Sequence, residues 1–186
     1  MKMIPTAIPD VVVIEPQVFE DERGWFMESF NEQRFHHGLR ELGLTPPRPF
    51  VQDNHSCSHK DVLRGLHFQR PPYAQGKLVR VVRGAAFDVA VDIRPGSPSF
   101  GKWVSAELSA ENHRMLWVPE GFAHGFLALE DDTHFLYKTT DYYCKECEGA
   151  IRWDDPEIGI EWPEIDSVII GEKDRRAGSL SSLVFT

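Results

Sequence analysis

Residues 77–94 read KLVRVVRGAAFDVAVDIR, and this stretch decides the fold class. From Phe87 to Ile93 every second side chain is apolar, and Asp88 and Asp92 lie between them. Side chains alternate between the two faces of a β-strand, so the pattern predicts a strand with one apolar and one partly polar face. Gly84 follows a run of Val and Leu residues, which predicts a tight turn between two neighbouring strands.

The same pattern recurs along the whole chain. Short alternating segments separated by Gly, Pro, Asn and Asp predict further strands at 11–15, 25–29, 63–68, 102–108, 114–118, 125–129 and 134–140. A helix is predicted after Asn31, where Phe35 and Leu39 follow at helical spacing before Gly43. A second, short helix is expected near residues 171–176. Regularly spaced strands of this kind are typical of an all-β sandwich or barrel.

Composition and charge limit the classes of function. The 186 residues suit a single domain over residues 1–186, and 41% of them are hydrophobic, as in ordinary globular proteins. A net charge of −9 argues against non-specific nucleic-acid binding, which needs a basic surface. No apolar run approaches the ~20 residues of a membrane-spanning helix, and the first residues lack the apolar segment of a secretory signal. We therefore expect a cytoplasmic protein that binds neither nucleic acid nor membranes.

The three cysteines, Cys57, Cys144 and Cys147, are expected to be free thiols in a reducing compartment. Cys144 and Cys147 form a C-x-x-C pair without the second pair that a structural zinc site usually has. The sequence shows no helix beginning after a strand at this point, so it does not indicate a thioredoxin-like motif. It leaves open whether the two thiols pair.

Polar residues on or beside strands indicate a pocket rather than a closed core, because charged groups are rarely buried without partners. VLRGLHFQ, residues 62–69, carries Arg64 and His67 on one strand. Strict alternation would point them to opposite faces, but Gly65 permits a bulge that brings both to one pocket. Taken alone, the two residues favour the plain interpretation of a surface arginine and a half-buried histidine, and the motifs elsewhere in the chain reverse that preference.

Three further segments carry side chains suited to chemistry. In WVPEGFAHGF, residues 117–126, P-x-G-x-x-H resembles the second motif of the cupin superfamily, and His124 is its histidine. Metal-binding cupins also have H-x-H in the first motif, whereas Phe68 and Gln69 follow His67 here, so no metal is expected. HFLYKTTDYY supplies Tyr137, which is either a proton donor or a core aromatic. DERGWFMESF supplies Arg23 and Glu28, which on their own suit a solvated strand edge.

Together these motifs resemble the dTDP-4-dehydrorhamnose 3,5-epimerase family over nearly the whole chain. The ordered set is DERGWFMESF (21–30), VQDNHS (51–56), LRGLHFQ (63–69), GKLVRVVRG (76–84), FDVAVDIRPGSPSFGKW (87–103), VPEGFAHGFLAL (118–129), YKTTDYY (137–143), IRWDDPEIGIEWP (151–163) and GEKD (171–174). The chain departs from the family pattern after Tyr143, where Cys144 and Lys145 replace the usual Asn-Pro. The resemblance implies an all-β, cupin-type jelly-roll barrel with a few short helices.

The resemblance also implies roles for individual residues. The catalytic set is His67 as general base, Asp174 as its partner, Lys77, and Tyr137 as acid. The substrate-binding set is Arg23, Glu28, Gln52, Asn54, Arg64, His124, Tyr143, Glu148 and Lys173, with Tyr143 stacking on the thymine. Asp88 points inward by strand parity and is a possible polar neighbour of the base. The family forms homodimers that exchange N-terminal strands, so Arg23 and Glu28 are expected to serve the partner's site.

The implied reaction needs no cofactor or metal. The substrate, dTDP-4-dehydro-6-deoxyglucose, has a ketone at C4 that acidifies the protons on both C3 and C5. A base on one face removes a proton and an acid on the other face returns one, while Lys77 stabilises the enolate. The cations Arg23, Arg64 and His124 are expected near the diphosphate. A single-centre epimerase, a ketoisomerase, a non-catalytic sugar-binding cupin and a metal-dependent cupin remain as alternatives.

Overall fold

The computed structural model describes residues 1–165 and 167–183, and these fold into strands with two short helices. The strands are β1 (Lys2–Pro5), β2 (Val12–Glu15), β3 (Val18–Asp21), β4 (Gly24–Met27), β5 (Gln52–Ser58), β6 (Val62–Gln69), β7 (Lys77–Arg83), β8 (Ala85–Asp92), β9 (Trp103–Ser109), β10 (Met115–Val118), β11 (Phe122–Ala128), β12 (Thr133–Thr139), β13 (Glu148–Ala150) and β14 (Ile169–Ile170). The helices are α1 (Glu32–Glu41) and α2 (Glu172–Arg175), and single 3-10 turns cover Lys145–Cys147 and Leu180–Ser182.

Two facing sheets form the body of the protein. The first has the order β1-β2-β10-β7-β12-β5 and the second β13-β6-β11-β8-β9, with β14 beside β6. The eight consecutive strands β5 to β12 divide between the sheets as 5-12-7-10 and 6-11-8-9, which is the double Greek key of a jelly roll. The predicted all-β, cupin-type jelly roll with a few short helices is therefore confirmed. Its wall consists of two sheets, and the described strands do not form one continuous hydrogen-bonded cylinder.

The main apolar core lies between the two sheets. Phe126 and Phe135, from opposite sheets, stack with their ring centroids 4.0 Å apart. Strand β8 has buried apolar side chains on both faces of its sheet. Ala90 joins this central core, whereas Val89 packs into a second apolar cluster on the other side of the sheet. Asp88 shares the inner face with Ala90, as alternation along the strand predicts. The Asp88 carboxylate is thus buried beside the apolar side chains between the sheets.

Helix α1 packs on the outside of the first sheet. The Asn31 side chain accepts a hydrogen bond from the Arg34 N–H at 3.1 Å and so caps the first turn. Phe35 and Leu39 are buried against that sheet, and Gly43 follows the helix with a φ of +76° that favours glycine. The helix predicted after Asn31 is therefore confirmed, and α2 confirms the short helix expected near residues 171–176.

The predicted strands are confirmed to within a few residues, but five others were not predicted: β1, β3, β13, β14 and β5. The longest of the five is β5. Its sequence, QDNHSCS, has no apolar alternation because its partly buried positions carry Asn54 and Ser56 instead of core residues. Those two side chains line a pocket between the sheets. A strand that borders a polar cavity thus lacks the signal by which strands are recognised.

Strands β3 and β4 form a hairpin that pairs with no other described strand. It exposes three aromatic side chains, and Phe26 has 70% of its surface accessible. An exposed aromatic cluster on a separate ribbon is a recognised feature of surfaces that bind another protein.

The described part of the chain contains no helix that is long and apolar enough to span a membrane.

Candidate active site

A pocket of about 330 Å³ lies between the two sheets. Its walls come from β5, β6, β7, β11, β12 and α2. The lining residues are Asn54, His55, Ser56, Arg64, His67, Lys77, His124, Gly125, Phe126, Phe135, Tyr137 and Asp174. The structure therefore brings together all four predicted catalytic residues and three of the predicted binding residues, although they come from both ends of the chain.

A bulge in β6 brings Arg64 and His67 to this one pocket. His67 lies opposite His124 and Arg64 lies opposite Phe126, so two residues of β6 face a single residue of β11. Gly65 adopts a φ of +126°, and a Cβ at this position would lie 2.6 Å from the Cα of Gly125. The two backbones approach so closely that only glycine fits. The bulge that Gly65 was predicted to permit is confirmed.

His67 and Asp174 form a hydrogen-bonded pair. His67 Nε2 lies 2.6 Å from Asp174 Oδ1, and the other carboxylate oxygen accepts the Gly65 N–H at 3.1 Å. Burial acts most strongly on the Asp174 carboxyl and raises its pKa, but the His67 hydrogen bond and charge outweigh it, so the net pKa is lowered. Asp174 is therefore an ionised partner that accepts a hydrogen bond from Nε2–H and leaves Nδ1 as the free nitrogen of the imidazole.

A second buried pair joins His124 to Asp88. His124 Nε2 lies 2.9 Å from Asp88 Oδ2 and 3.0 Å from Oδ1, and both residues are buried. Burial raises the pKa of Asp88, against the lowering effects of His124 and Lys77. Strand alternation predicted that Asp88 points inward, as a possible polar neighbour of the base His67. The hydrogen-bond partner of Asp88 is His124. His124 itself lies directly opposite His67 in the register of β11 and β6.

Lys77 is a buried ammonium group at the start of β7. Desolvation lowers its pKa to about 8, while the nearby negative charges of Asp88 and Glu148 act in the opposite direction. Its Nζ lies 6.0 Å from the centroid of the Tyr137 ring. The pocket thus holds one cation that is partly stripped of water, and such a charge acts strongly on a bound carbonyl oxygen.

Tyr137 lies on β12, in the sheet that faces the one carrying His67. Burial raises the pKa of its phenol, and the nearby positive charge of Arg64 offsets part of this effect. The phenol therefore keeps its proton at neutral pH and can act as a donor. His67 and Tyr137 line the same pocket from opposite sheets, so a ring bound between them meets a base on one face and an acid on the other.

A continuous chain of polar contacts leads away from the pocket. Lys173 forms an ion pair with Glu148, and the Tyr143 hydroxyl donates to Glu148 Oε2 at 2.9 Å. The Tyr143 N–H donates to Gln52 Oε1 at 3.1 Å, and Gln52 Nε2 donates to Asn54 at 3.0 Å. Burial, the largest influence on Glu148, raises its pKa, but the bonds from Lys173 and Tyr143 leave the pKa lowered overall. These predicted binding residues therefore form a connected rim.

Arg23 and Glu28 lie apart from this rim. Arg23 is exposed on the β3–β4 hairpin, where its guanidinium contacts Asp21 at 2.5 Å. Glu28 pairs with Arg34 at 3.2 Å beside the start of α1. Neither residue lines the pocket of its own chain.

Sequence reasoning missed two pocket residues, His55 and Ser56, because β5 was not predicted as a strand. It also missed the Asp88–His124 pair, for which the inward parity of Asp88 was the available signal. Within residues 1–165 and 167–183, no group of three or more His, Cys, Asp or Glu side chains is arranged to hold a metal ion.

Known proteins resemble this chain in sequence and in fold. The sequence profile of dTDP-4-dehydrorhamnose 3,5-epimerase matches residues 5–182. The dTDP-4-dehydrorhamnose 3,5-epimerase of Escherichia coli K12 is 56% identical over 99% of this chain and 97% of its own. That of Salmonella typhimurium LT2 is 56% identical over 100% and 99% of the two chains.

A solved structure gives the same result. The dTDP-6-deoxy-D-glucose-3,5-epimerase RmlC of Legionella pneumophila Philadelphia 1, crystallised with dTDP-4-keto-L-rhamnose, superposes with a TM-score of 0.91 at 49% identity. The match covers 98% of this chain and 94% of that one. Profile, identity and fold agree over almost the full length, and the protein belongs to the dTDP-4-dehydrorhamnose 3,5-epimerase family.

Proposed function

We propose that this protein epimerises dTDP-4-dehydro-6-deoxy-D-glucose at C3 and C5 to give dTDP-4-dehydro-L-rhamnose. The observation that carries the proposal is the position of His67 and Tyr137, which line one pocket from opposite sheets. Inversion at carbon requires removal of a proton from one face of the ring and its return to the other. Two protic groups that face each other across a pocket meet this requirement.

His67 acts as the general base through Nδ1. Its Nε2 is engaged by Asp174 at 2.6 Å, and the ionised carboxylate supports the imidazolium that forms when the substrate proton arrives. The pocket lies within reach of Nδ1 because the β6 bulge turns the imidazole inward. The base is therefore oriented before the substrate binds, which lowers the cost of reaching the reactive geometry.

Lys77 stabilises the enolate that proton removal creates at the C4 oxygen. With a pKa of about 8, its amine is mainly protonated at neutral pH. Asp88 holds His124 beside His67, so His124 adds a second hydrogen-bonding group at the reacting end of the pocket. Because the C4 ketone already acidifies the protons on both neighbouring carbons, the proposed reaction uses these side chains and no cofactor.

Tyr137 then returns a proton to the opposite face. Its neutral phenol is the appropriate donor to a carbanion, and the burial that raises its pKa keeps it protonated. The same base and acid serve C3 and C5 in turn, since both carbons flank the one ketone. The order of the two inversions depends on how the ring is presented to His67.

The polar rim binds the nucleotide end of the substrate. Arg64, which is exposed at the mouth of the pocket, suits the diphosphate. Tyr143 offers its ring to the thymine, while Glu148 fixes its hydroxyl at 2.9 Å. Gln52, Asn54 and Lys173 complete the proposed binding surface.

We also propose that the active form is a homodimer. The exposed aromatic side chains of the β3–β4 hairpin support this, as does the position of Arg23 and Glu28 outside the pocket of their own chain. In the proposed dimer the hairpin of one copy covers the rim of its partner and delivers these two residues there. The whole of residues 1–186 acts as one domain in this assembly.

A cytoplasmic location belongs to the same proposal. Its support is that Cys57, Cys144 and Cys147 are all free thiols, as is usual in a reducing compartment.

Incubation of the protein with dTDP-4-dehydro-6-deoxy-D-glucose in heavy water tests the function. NMR should show deuterium at both C3 and C5 of a product with L-configuration. Label at a single carbon would replace the proposal by a single-centre epimerase. Absence of label from both carbons would exclude catalysis by proton abstraction.

A further inference from the structure

Cys144 and Cys147 lie at the two ends of a single tight turn. The Cys147 N–H donates to the Cys144 carbonyl at 3.1 Å, and the 3-10 turn Lys145–Cys147 lies between them. Cα atoms at the ends of such a turn are less than about 7 Å apart, and disulfides join Cα atoms separated by about 4.4–6.8 Å. The backbone therefore already has the closure that a disulfide needs.

The two thiols lie close enough for Cys144 to influence the ionisation of Cys147. A side-chain hydrogen bond with Cys144 is the largest cause that raises the pKa of Cys147, to about 11, and burial and the charge of Glu146 act in the same direction. The Cys144 thiol in addition lies 3.9 Å from Glu146 Oε2. Both cysteines are partly exposed, so a small reagent in solution reaches them.

The turn is attached on both sides to the proposed binding site. The Cys144 N–H donates to Gln69 Oε1 at 2.8 Å, and the Arg70 N–H donates to the Cys147 carbonyl at 2.8 Å. Gln69 is the last residue of β6, the bulged strand that carries His67, and Arg70 follows it directly. Tyr143 and Glu148 flank the two cysteines in sequence, and the Tyr143 hydroxyl donates a hydrogen bond to Glu148 Oε2 at 2.9 Å. Any movement of the thiols therefore acts on the two ends of this short loop.

We propose that Cys144 and Cys147 are an oxidisable dithiol that regulates nucleotide binding at the adjacent rim. The part concerning regulation rests on the proposed function. With a low-molecular-weight disulfide as oxidant, the thiolate of one cysteine attacks a sulfur of the reagent and releases one thiol. The other cysteine attacks the mixed disulfide and releases the second thiol. The protein loses two hydrogen atoms, and the reagent is reduced to two thiols.

Closure of the disulfide weakens nucleotide binding. The sulfur atoms must approach each other to about 2 Å, with the Cβ atoms about 3.8 Å apart. This changes the side-chain torsions of both cysteines and shifts the backbone that they share with Tyr143 and Glu148, which displaces the Tyr143 ring and the Glu148 carboxylate from their hydrogen-bonded arrangement. Stacking of a base on an aromatic ring contributes enough that its loss weakens affinity by about ten-fold or more.

The test compares dTDP affinity of the reduced protein and of protein treated with oxidised glutathione, by calorimetry. Mass spectrometry of digested protein should show a Cys144–Cys147 disulfide, and affinity should fall about ten-fold and recover with dithiothreitol. Phenylarsine oxide, which bridges two nearby thiols, should protect the reduced pair from oxidation. Cys144→Ser and Cys147→Ser should abolish the effect, whereas Cys57→Ser should retain it.

Two results would overturn the proposal: an oxidised protein without a Cys144–Cys147 disulfide, or a disulfide that leaves dTDP affinity unchanged. An equal response in Cys144→Ser would also exclude this pair as the cause. Disulfide formation and capture by the arsenical need neither turnover nor nucleotide. A failure of the epimerisation assay would therefore leave these readouts intact and would be recognised separately.

Discussion

His67 Nε2 lies 2.6 Å from Asp174 Oδ1, although the two residues are 107 positions apart in the sequence. The second oxygen of the same carboxylate accepts the Gly65 N–H at 3.1 Å. One side chain near the C-terminus thus holds both the imidazole and the backbone bulge that directs it. This relationship links the chemistry of the base to the docking of α2 against β6.

Replacement of Asp174 by asparagine should lower the turnover number by about 10²–10⁴. The neutral amide cannot stabilise the imidazolium, and it no longer selects the tautomer with a free Nδ1. Because Asp174 is not proposed to touch the nucleotide, the affinity for dTDP should change little. Steady-state kinetics and calorimetry on the same preparation separate the two effects. Turnover at the wild-type rate would show that His67 does not need this partner.

Tyr137→Phe should lower the rate of epimerisation by about 10² or more while the substrate still exchanges protons with solvent. His67 remains able to remove a proton and return it to the same face, which gives exchange without inversion. Deuterium incorporation into recovered substrate, measured by NMR beside product formation, distinguishes the two processes. Equal losses of exchange and epimerisation would count against Tyr137 as the acid on the second face.

The rate should decline as the pH rises through about 8, the pKa of Lys77. Desolvation lowers this pKa from its ordinary value, so the amine loses its proton at a lower pH than an exposed lysine would. The enolate then loses its stabilising cation, and loss of one such group typically costs about 10²–10³ in rate. A pH profile of kcat measures this decline.

Lys77→Arg is the matched variant for that profile. A guanidinium stays protonated throughout the accessible range, so whatever rate the variant retains should show no decline near pH 8. A profile with the same alkaline limb in both proteins would assign the titration to another group.

Gly65→Ala should lower the free energy of unfolding by more than about 2 kcal/mol, since positive-φ strain and overpacking each cost about 1–3 kcal/mol. The added Cβ would lie 2.6 Å from the Gly125 Cα and 2.8 Å from the His124 carbonyl oxygen. Gly171→Ala is the control, because a Cβ there meets no atom within 4 Å. Chemical denaturation measures both variants, and equal stabilities would show that the close approach of β6 and β11 relaxes freely.

Phe26→Glu should convert the proposed homodimer to a monomer. Phe26 has 70% of its surface accessible, and a carboxylate placed at a buried interface lacks a partner. Analytical ultracentrifugation measures the change, with Phe100→Glu, in the loop between β8 and β9, as a control. A wild-type protein that sediments as a monomer, or a variant that stays dimeric, would contradict the role of the hairpin.

Alternation of apolar side chains predicted most of the strands, because the face on which a side chain lies is a local property of the chain. Alternation along residues 87–93 identified β8 and the inward direction of Asp88, and Asn31 with Phe35 and Leu39 identified α1. The same reasoning failed for β5, whose inward positions are polar because they border the pocket. The motifs around His67, His124 and Tyr137 identified the family, and the fold and the comparisons bear that out.

By itself, the sequence determined most of the strand pattern, because alternation is a local property of short segments. Its ordered motifs also identified the family, and the family resemblance implied the jelly-roll class. The family resemblance had implied Asp174 as the partner of His67, and the structure shows the two in contact. Only the tertiary structure decided that Asp88 meets His124 and that Lys173 meets Glu148. It also decided which predicted residues stay outside the pocket of their own chain, as Arg23 and Glu28 do. The physical reason is that alternation fixes the face of each side chain, whereas partners distant in sequence are chosen by strand order, register and the β6 bulge.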